Sequence, residues 1–348
     1  MLELAAIFGV IWAISILTFL YSAQLCIPAY ASPLSLFTIM TIFLFNPTRT
    51  LKHEARFWLL KLAQRILLAP FFSVNFADFW LADQLNSLGQ ALKDFQFLIC
   101  FYTSGEPVDE DWGKASSLGY CSSSGWWLVA VVACMPAWFR FAQCVRRYLN
   151  TKEAFPHLVN AGKYSTTFFT VIFSTLDSVY TTETHKSAFF YFYILSAVTS
   201  SCYTYTWDIK MDWGFFSPAS GDNKYLREEL VYSSNGYYYF AIVEDLVLRF
   251  SWAYTLVLKE GGLGEYAELT TSVFSVLEVV RRFIWNFFRL ENEHLNNCGK
   301  FRAVRDISVA RIAITADEQR IRSCFVTNIF TQKMTTWNDY FWKKYSIV

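Results

Sequence analysis

Four stretches of this 348-residue sequence keep ionisable side chains inside apolar runs. Asp83, Asn86 and Ser87 recur at three- and four-residue spacing, which places them on one helical face. Lys163 and Tyr164 open a second stretch; Glu244, Asp245, Arg249 and Trp252 share a face in a third; Glu278, Arg281 and Arg282 stand between aromatic residues in a fourth. An ionisable group at membrane depth costs about 2.5–3.5 kcal/mol on insertion scales, so a helix that keeps several uses them. Lys163, Arg249, Arg281 and Arg282 fall on three helices that could surround one cavity, and their natural ligand is an anion. Guanidinium forks match oxyanion geometry, and lysine adds a compact charge. Asp83, Asp212, Glu244, Asp245 and Glu278 would orient the cations and keep the ion releasable.

Other readings compete. Arg249 has Asp245, and Arg282 has Glu278, one helical turn away, so each pair could be a structural bridge; Lys163 and Arg281 have no such local partner. Asp208 and Asp212 end an apolar run, where a solvated role is expected. His294 and Cys298 stand four apart without a second ligand pair, which favours a polar cap over a metal site. Gly162-Lys163-Tyr164-Ser165 lacks the upstream glycine of a phosphate loop. Neither a Ser/His/Asp set nor a Gly-x-Ser-x-Gly elbow occurs. The expectation is a non-enzyme with no catalytic residue, no metal and no cofactor.

The elements that must position these side chains are helices in lipid. Hydrophobic residues make up 54% of the sequence and charged ones 17%, against about a quarter charged in soluble proteins. Runs long enough to cross a hydrocarbon core of about 30 Å fall near 4–23, 31–46, 79–102, 125–144, 163–180, 188–207, 237–258 and 269–288. The predicted fold is all-α, a polytopic transmembrane bundle of about eight membrane helices. Residues 51–69 carry Lys52, Arg56, Lys61 and Arg65 at helical spacing and read as an interfacial amphipathic helix. The organisation expected is N-terminal membrane helices with that interfacial helix over 1–70, a transport core over 71–310 and a cytoplasmic tail over 311–348.

Basic loops at 46–65, 140–163 and 208–235 point to the cytoplasm, and so do Arg289, Lys300, Arg302, Arg305 and Arg311. The loop at 104–124, with Glu106, Asp109, Glu110 and Asp111, and the loop at 259–270 point away from it. Eight spans put both termini in the cytoplasm. A net charge of +1 excludes a nucleic-acid partner, which needs a basic excess. The eight cysteines lack paired spacing, so neither a zinc nor a disulfide framework is expected.

Three strings are specific: FWLADQLNSL at 79–88, AFPHLVNAGKYS at 154–165 and RRFIWNFFRLENEH at 281–294. They closely resemble the EXS domain of the xenotropic and polytropic retrovirus receptor family, whose animal members export phosphate. The resemblance runs from the first residues to about Ala310. It implies a helical exporter of inorganic phosphate whose pathway residues match Asp83, Asn86, Lys163, Tyr164, Asp212, Arg249, Trp252, Glu278, Arg281 and Arg282, with Trp252 as a constriction. Family exporters also carry an SPX domain and about ten membrane helices, whereas this sequence matches without SPX. The resemblance and the cation cluster imply an exporter at the plasma membrane. The alternatives are a Golgi protein that recycles lumenal phosphate or aids retention of glycosylation enzymes, and a non-transporting membrane scaffold. The implied partners are phosphate and the lipid bilayer, with a homodimer or association with a full-length relative left open.

Overall fold

The computed structural model describes residues 2–103, 121, 126–181, 186–218 and 220–297. The acidic loop with Glu106, Asp109, Glu110 and Asp111 lies outside them, as do Cys298, the basic residues from Lys300 to Arg311 and the 311–348 tail.

Among the described residues the chain forms eleven helices of ten residues or more: α1 (Leu2–Leu20), α2 (Ala31–Phe45), α3 (His53–Leu67), α4 (Phe76–Asn86), α5 (Gly89–Thr103), α6 (Trp126–Thr151), α7 (Ala154–Tyr180), α8 (Ala188–Trp207), α9 (Asn235–Arg249), α10 (Ser251–Glu260) and α11 (Gly264–Asn296). The all-α bundle expected from the sequence is what forms. By length and composition, one helix (Trp127–Thr151) is apolar enough to cross a membrane, and Ala5–Leu20 and Ala31–Phe45 are shorter apolar helices.

Polarity is distributed inside out. Val10, Trp12, Leu17 and Leu20 on α1 are more than half exposed, while Arg140, Lys163, Asp208, Asp245, Arg281 and Arg289 are buried. Water would expel such an apolar exterior, whereas hydrocarbon accepts it and drives charge inward.

Local chemistry sets several helix ends. Asn75 and Asp78 form a reciprocal capping box at the start of α4, and the Ser187 hydroxyl accepts the Phe189 N–H at the start of α8. Arg56 on α3 points inward and donates to the carbonyls of Phe43 (2.6 Å) and Asn46 (2.8 Å), closing the free end of α2. Arg65 grips Asp78 through two 2.8 Å bonds. Two of the four basic residues of the expected interfacial helix therefore serve the protein interior, where bare carbonyls and a carboxylate need donors.

Two expected single spans are each two helices. The run at 79–102 breaks at Ser87–Leu88, between α4 and α5, and the run at 237–258 breaks at Phe250, between α9 and α10. A third irregularity is the π-helical turn Asp208–Asp212 that ends α8. Lys163 does not open its helix; α7 begins nine residues earlier, at Ala154. The absence of disulfides expected from cysteine spacing is also corrected, since Cys100 and Cys121 are joined. The two cysteines are 21 residues apart in the sequence, a separation that no short motif records.

Helices α6, α7 and α8 pack in succession, α4 and α5 lean on α6, and α9 and α10 lean on α11. An aromatic core of Trp213, Phe215, Tyr238, Trp285 and Phe288 fixes α9 and α11 to the segment after α8. Gly214 makes this possible. Its φ is +71°, and a β-carbon there would lie 2.9 Å from Asn292 Oδ1, whose amide donates to the Asp212 carbonyl at 2.9 Å.

Candidate functional site: a charged cavity among broken helices

The three helix interruptions adjoin one another around a cavity of about 170 Å³. The break after α4 brings Asp83 and Asn86; α7 brings Lys163, Tyr164 and Thr167; α8 and its π turn bring Ser200, Thr204, Asp208 and Asp212; the end of α9 brings Arg249 and the middle of α11 brings Arg282. Pro136, inside α6, lines the fourth side. Irregular backbone at membrane depth is tolerated where it lines a polar cavity, because only there can freed backbone groups find partners.

The cavity charges balance as three acids, Asp83, Asp208 and Asp212, against three bases, Lys163, Arg249 and Arg282. Their environments differ sharply. Asp83 Oδ1 accepts from Arg140 Nε at 2.7 Å and from the Tyr164 hydroxyl at 2.8 Å, a buried triad. Arg140 also lies 4.4 Å from the Phe79 ring centroid. Asp208 pairs with Arg249, and Asp212 stands 3.6 Å from Arg289. Asn86 returns its amide to the Ala82 carbonyl at 3.1 Å.

Two cavity cations have no carboxylate within ion-pair distance among the described residues. Lys163, 5% exposed, has its ammonium over the rings of Tyr164 (4.4 Å) and Trp207 (5.2 Å). Cation–π contact of this kind holds a charge in place without neutralising it. Arg282 donates from Nε to Ser87 Oγ at 2.9 Å and stacks over Trp285 at 4.5 Å, which leaves its two terminal nitrogens for a ligand.

The remaining expected residues sit beside the cavity. Arg281, 1% exposed, donates from Nε and Nη2 to Glu278 at 2.7 and 2.6 Å and from Nη1 to Asp245 at 2.7 Å. Its local partner is therefore Glu278, three residues back. Glu278 also accepts the Ser87 hydroxyl at 2.7 Å, so the expected pairing of Glu278 with Arg282 is replaced by a relay through Ser87. The reason is helical phase, because Arg281 faces α9 and Arg282 faces the break after α4. Trp252 Nε1 donates to Ser201 Oγ at 3.0 Å, and Ser201 donates to the Arg249 carbonyl at 3.1 Å, pinning the start of α10 to α8.

Asp208 is 2% exposed and ion-paired, not solvated. The sequence reading assigned no site role to it or to Arg140. Arg140 carried a usable signal, since it lies inside the apolar run of α6, which continues to Thr151.

Comparison with known proteins shows the family of this chain. The model of the EXS family matches residues 1–295. The chain belongs to the EXS family. It is 50% identical over 325 residues to Solute carrier family 53 member 1 of Mus musculus, an alignment that covers 92% of this chain and 46% of that protein. The same protein of Homo sapiens is 50% identical over 326 residues, covering 92% and 47%. The Xenotropic and polytropic retrovirus receptor 1 homolog of Danio rerio is 51% identical over 326 residues, covering 92% and 46%. The chain spans about half the length of the curated relatives it matches. This EXS-family chain is a membrane protein, and the relatives from Mus musculus and Homo sapiens are named as solute carriers.

Proposed function

We propose that this EXS-family chain forms a pathway for inorganic phosphate across the membrane, carrying it out of the cytosol, with the plasma membrane as its place of work. One observation carries the reading. Of the cations around the cavity, Arg249 is held by an acid while Lys163 and Arg282 face the cavity without one. A cation left unpaired at membrane depth needs an anion, and a compact ammonium opposite a planar guanidinium fits the tetrahedral oxygens of phosphate.

The acids keep that ion from becoming permanent. Asp83 and Asp212 lie across the cavity and repel a bound anion at short range, so occupancy is transient. Among the pathway residues, Lys163, Tyr164, Arg249 and Arg282 would contact phosphate, Asp83, Asn86 and Asp212 would shape the cavity, and Trp252, Glu278 and Arg281 would brace the helices beside it. The loops support the orientation of the pathway. The basic loop after α8 belongs to the cytosol. The disulfide between Cys100 and Cys121 borders the acidic loop and suits an oxidising exterior.

The test is efflux of labelled phosphate from liposomes holding the purified chain, beside Lys163→Ala and Arg282→Ala variants. Efflux from the unaltered chain that both variants lose while remaining folded supports the pathway. Retained efflux in both variants overturns it.

A further inference from the structure

Two of the three specific strings hold polar side chains that the pathway leaves unused: Trp80 and Gln84 in FWLADQLNSL, and Asn286 in RRFIWNFFRLENEH. The structure brings them together. Asn286 Oδ1 accepts from Trp80 Nε1 at 3.0 Å and from Gln84 Nε2 at 3.0 Å, while Asn286 Nδ2 donates to Gln84 Oε1 at 3.1 Å. Two side-chain amides 202 residues apart thus exchange a pair of hydrogen bonds between α4 and α11. The indole N–H of Trp80 can only donate, so it fixes which end of the Asn286 amide carries the oxygen and, through it, the orientation of Gln84.

This amide pair adjoins a cavity cation. Asn286 lies one helical turn after Arg282, and Gln84 lies one turn before Ser87, so the amides and the Arg282–Ser87 bond are successive rungs of one seam. At the cavity rung, Ser87 Oγ accepts from Arg282 Nε at 2.9 Å and donates to Glu278 at 2.7 Å. Ser87 stands just past the last residue of α4, and its amide reaches back to the Gln84 carbonyl at 3.1 Å. Where Gln84 sits along α11 therefore decides where the Ser87 hydroxyl sits. The packing of α4 is chiefly on α3 and α6, so its register on α11 rests on side chains: these bonds and the stacking of Arg289 over Phe79 at 5.0 Å.

We propose that Gln84 and Asn286 are positioning residues for the anion. Their amide pair, oriented by Trp80, sets the register of α4 on α11 and holds Ser87 where it fixes Nε of Arg282 and turns the terminal nitrogens to the cavity. The bearing on phosphate rests on the pathway proposed above; the seam itself does not.

The experiment compares the purified full chain with Asn286→Leu and with the exchanged pair Gln84→Asn plus Asn286→Gln, each with and without Arg282→Ala. Affinity for inorganic phosphate is read from the phosphate dependence of the melting temperature, and hydrogen exchange is followed on the same preparations. Asn286→Leu should weaken phosphate binding about tenfold, the worth of one charge-assisted hydrogen bond. The exchanged pair rebuilds two amides of the same combined length and should bind phosphate as the wild type does. On the Arg282→Ala background, Asn286→Leu should change the affinity less than about twofold, because a residue that acts through Arg282 then has nothing left to position. Gln84→Leu provides the same comparison should Asn286→Leu not be recovered. Wild-type affinity in Asn286→Leu would overturn the inference, and so would an equal loss with and without Arg282, the mark of a general loosening. Absence of phosphate binding by the wild type would defeat the transport reading alone. Exchange in Phe76–Asn86 then decides the seam: quickening in Asn286→Leu upholds it, and unchanged exchange overturns it.

Discussion

Arg281 and Arg282 are consecutive in the sequence and opposite in state: the first is saturated by Glu278 and Asp245, the second meets no carboxylate. Adjacent residues on a helix point about 100° apart, so one guanidinium can tie helices together while its neighbour faces the cavity.

The two arginines should therefore fail differently. Arg281→Ala leaves the buried Asp245 with only the more distant Arg249 and the half-buried Glu278 without its cation, a loss of about 3–5 kcal/mol, and is expected to show as poor recovery and early melting. Arg282→Ala removes a ligand contact of about 1.5–3 kcal/mol and should cut phosphate affinity roughly ten- to a hundredfold with melting little changed. Thermal unfolding beside efflux separates the two outcomes, and equal melting losses would contradict the division.

Asp83→Asn should make the cavity hold its anion too well. Asp83 neutralises Arg140, and without that charge the guanidinium turns to whatever anion the cavity contains. Phosphate should raise the melting temperature of the variant more than that of the wild type, because binding to the folded state alone stabilises it. Turnover should fall. Equal stabilisation by phosphate would refute this reading of Asp83.

Much of this site was legible in the sequence because ionisable groups inside apolar runs are conspicuous. Asp83, Asn86, Lys163, Tyr164, Asp212, Arg249 and Arg282 do surround one cavity. Arg140 escaped because it was counted with the loop that follows its apolar run, and Asp208 because it follows the last apolar residues of its own. The pairing was hidden for a different reason: i,i+3 and i,i+4 spacings are both close on a helix, and only the position of α9 decides that Arg281 takes Glu278. Breaks at Ser87 and Phe250 are not marked by proline or by glycine at the break itself, so hydropathy runs across them smoothly.

Gly214→Ala should destabilise the chain by about 1–2 kcal/mol from the left-handed backbone alone. The clash with Asn292 Oδ1 adds to this and disturbs the amide bond to Asp212. A lowered melting temperature without change in the disulfide is expected; an unchanged one would mean that the turn after α8 can shift freely.

Ser201→Ala should release the start of α10. It removes the acceptor of Trp252 Nε1 and the donor to the Arg249 carbonyl. Hydrogen exchange in Ser251–Glu260 should quicken while α6 and α7 keep their protection. Uniform change across the bundle would argue that α10 has no independent freedom.

The interruption at Phe250 sets the energy scale of any opening. Its amide reaches back only three residues, to the Val247 carbonyl at 3.3 Å, so the regular ladder is already relinquished there. Tilting α10 against α9 requires no further helical bond to break. What resists is the packing of α10 on α11, with Tyr254 against Phe274, and side-chain hydrogen bonds such as Trp252 on Ser201, each of the latter with a net worth of about 0.5–1.5 kcal/mol. The angle between α9 and α10 is therefore set by side-chain packing and not by the backbone ladder, so substitutions at these few contacts move α10 without unwinding either helix.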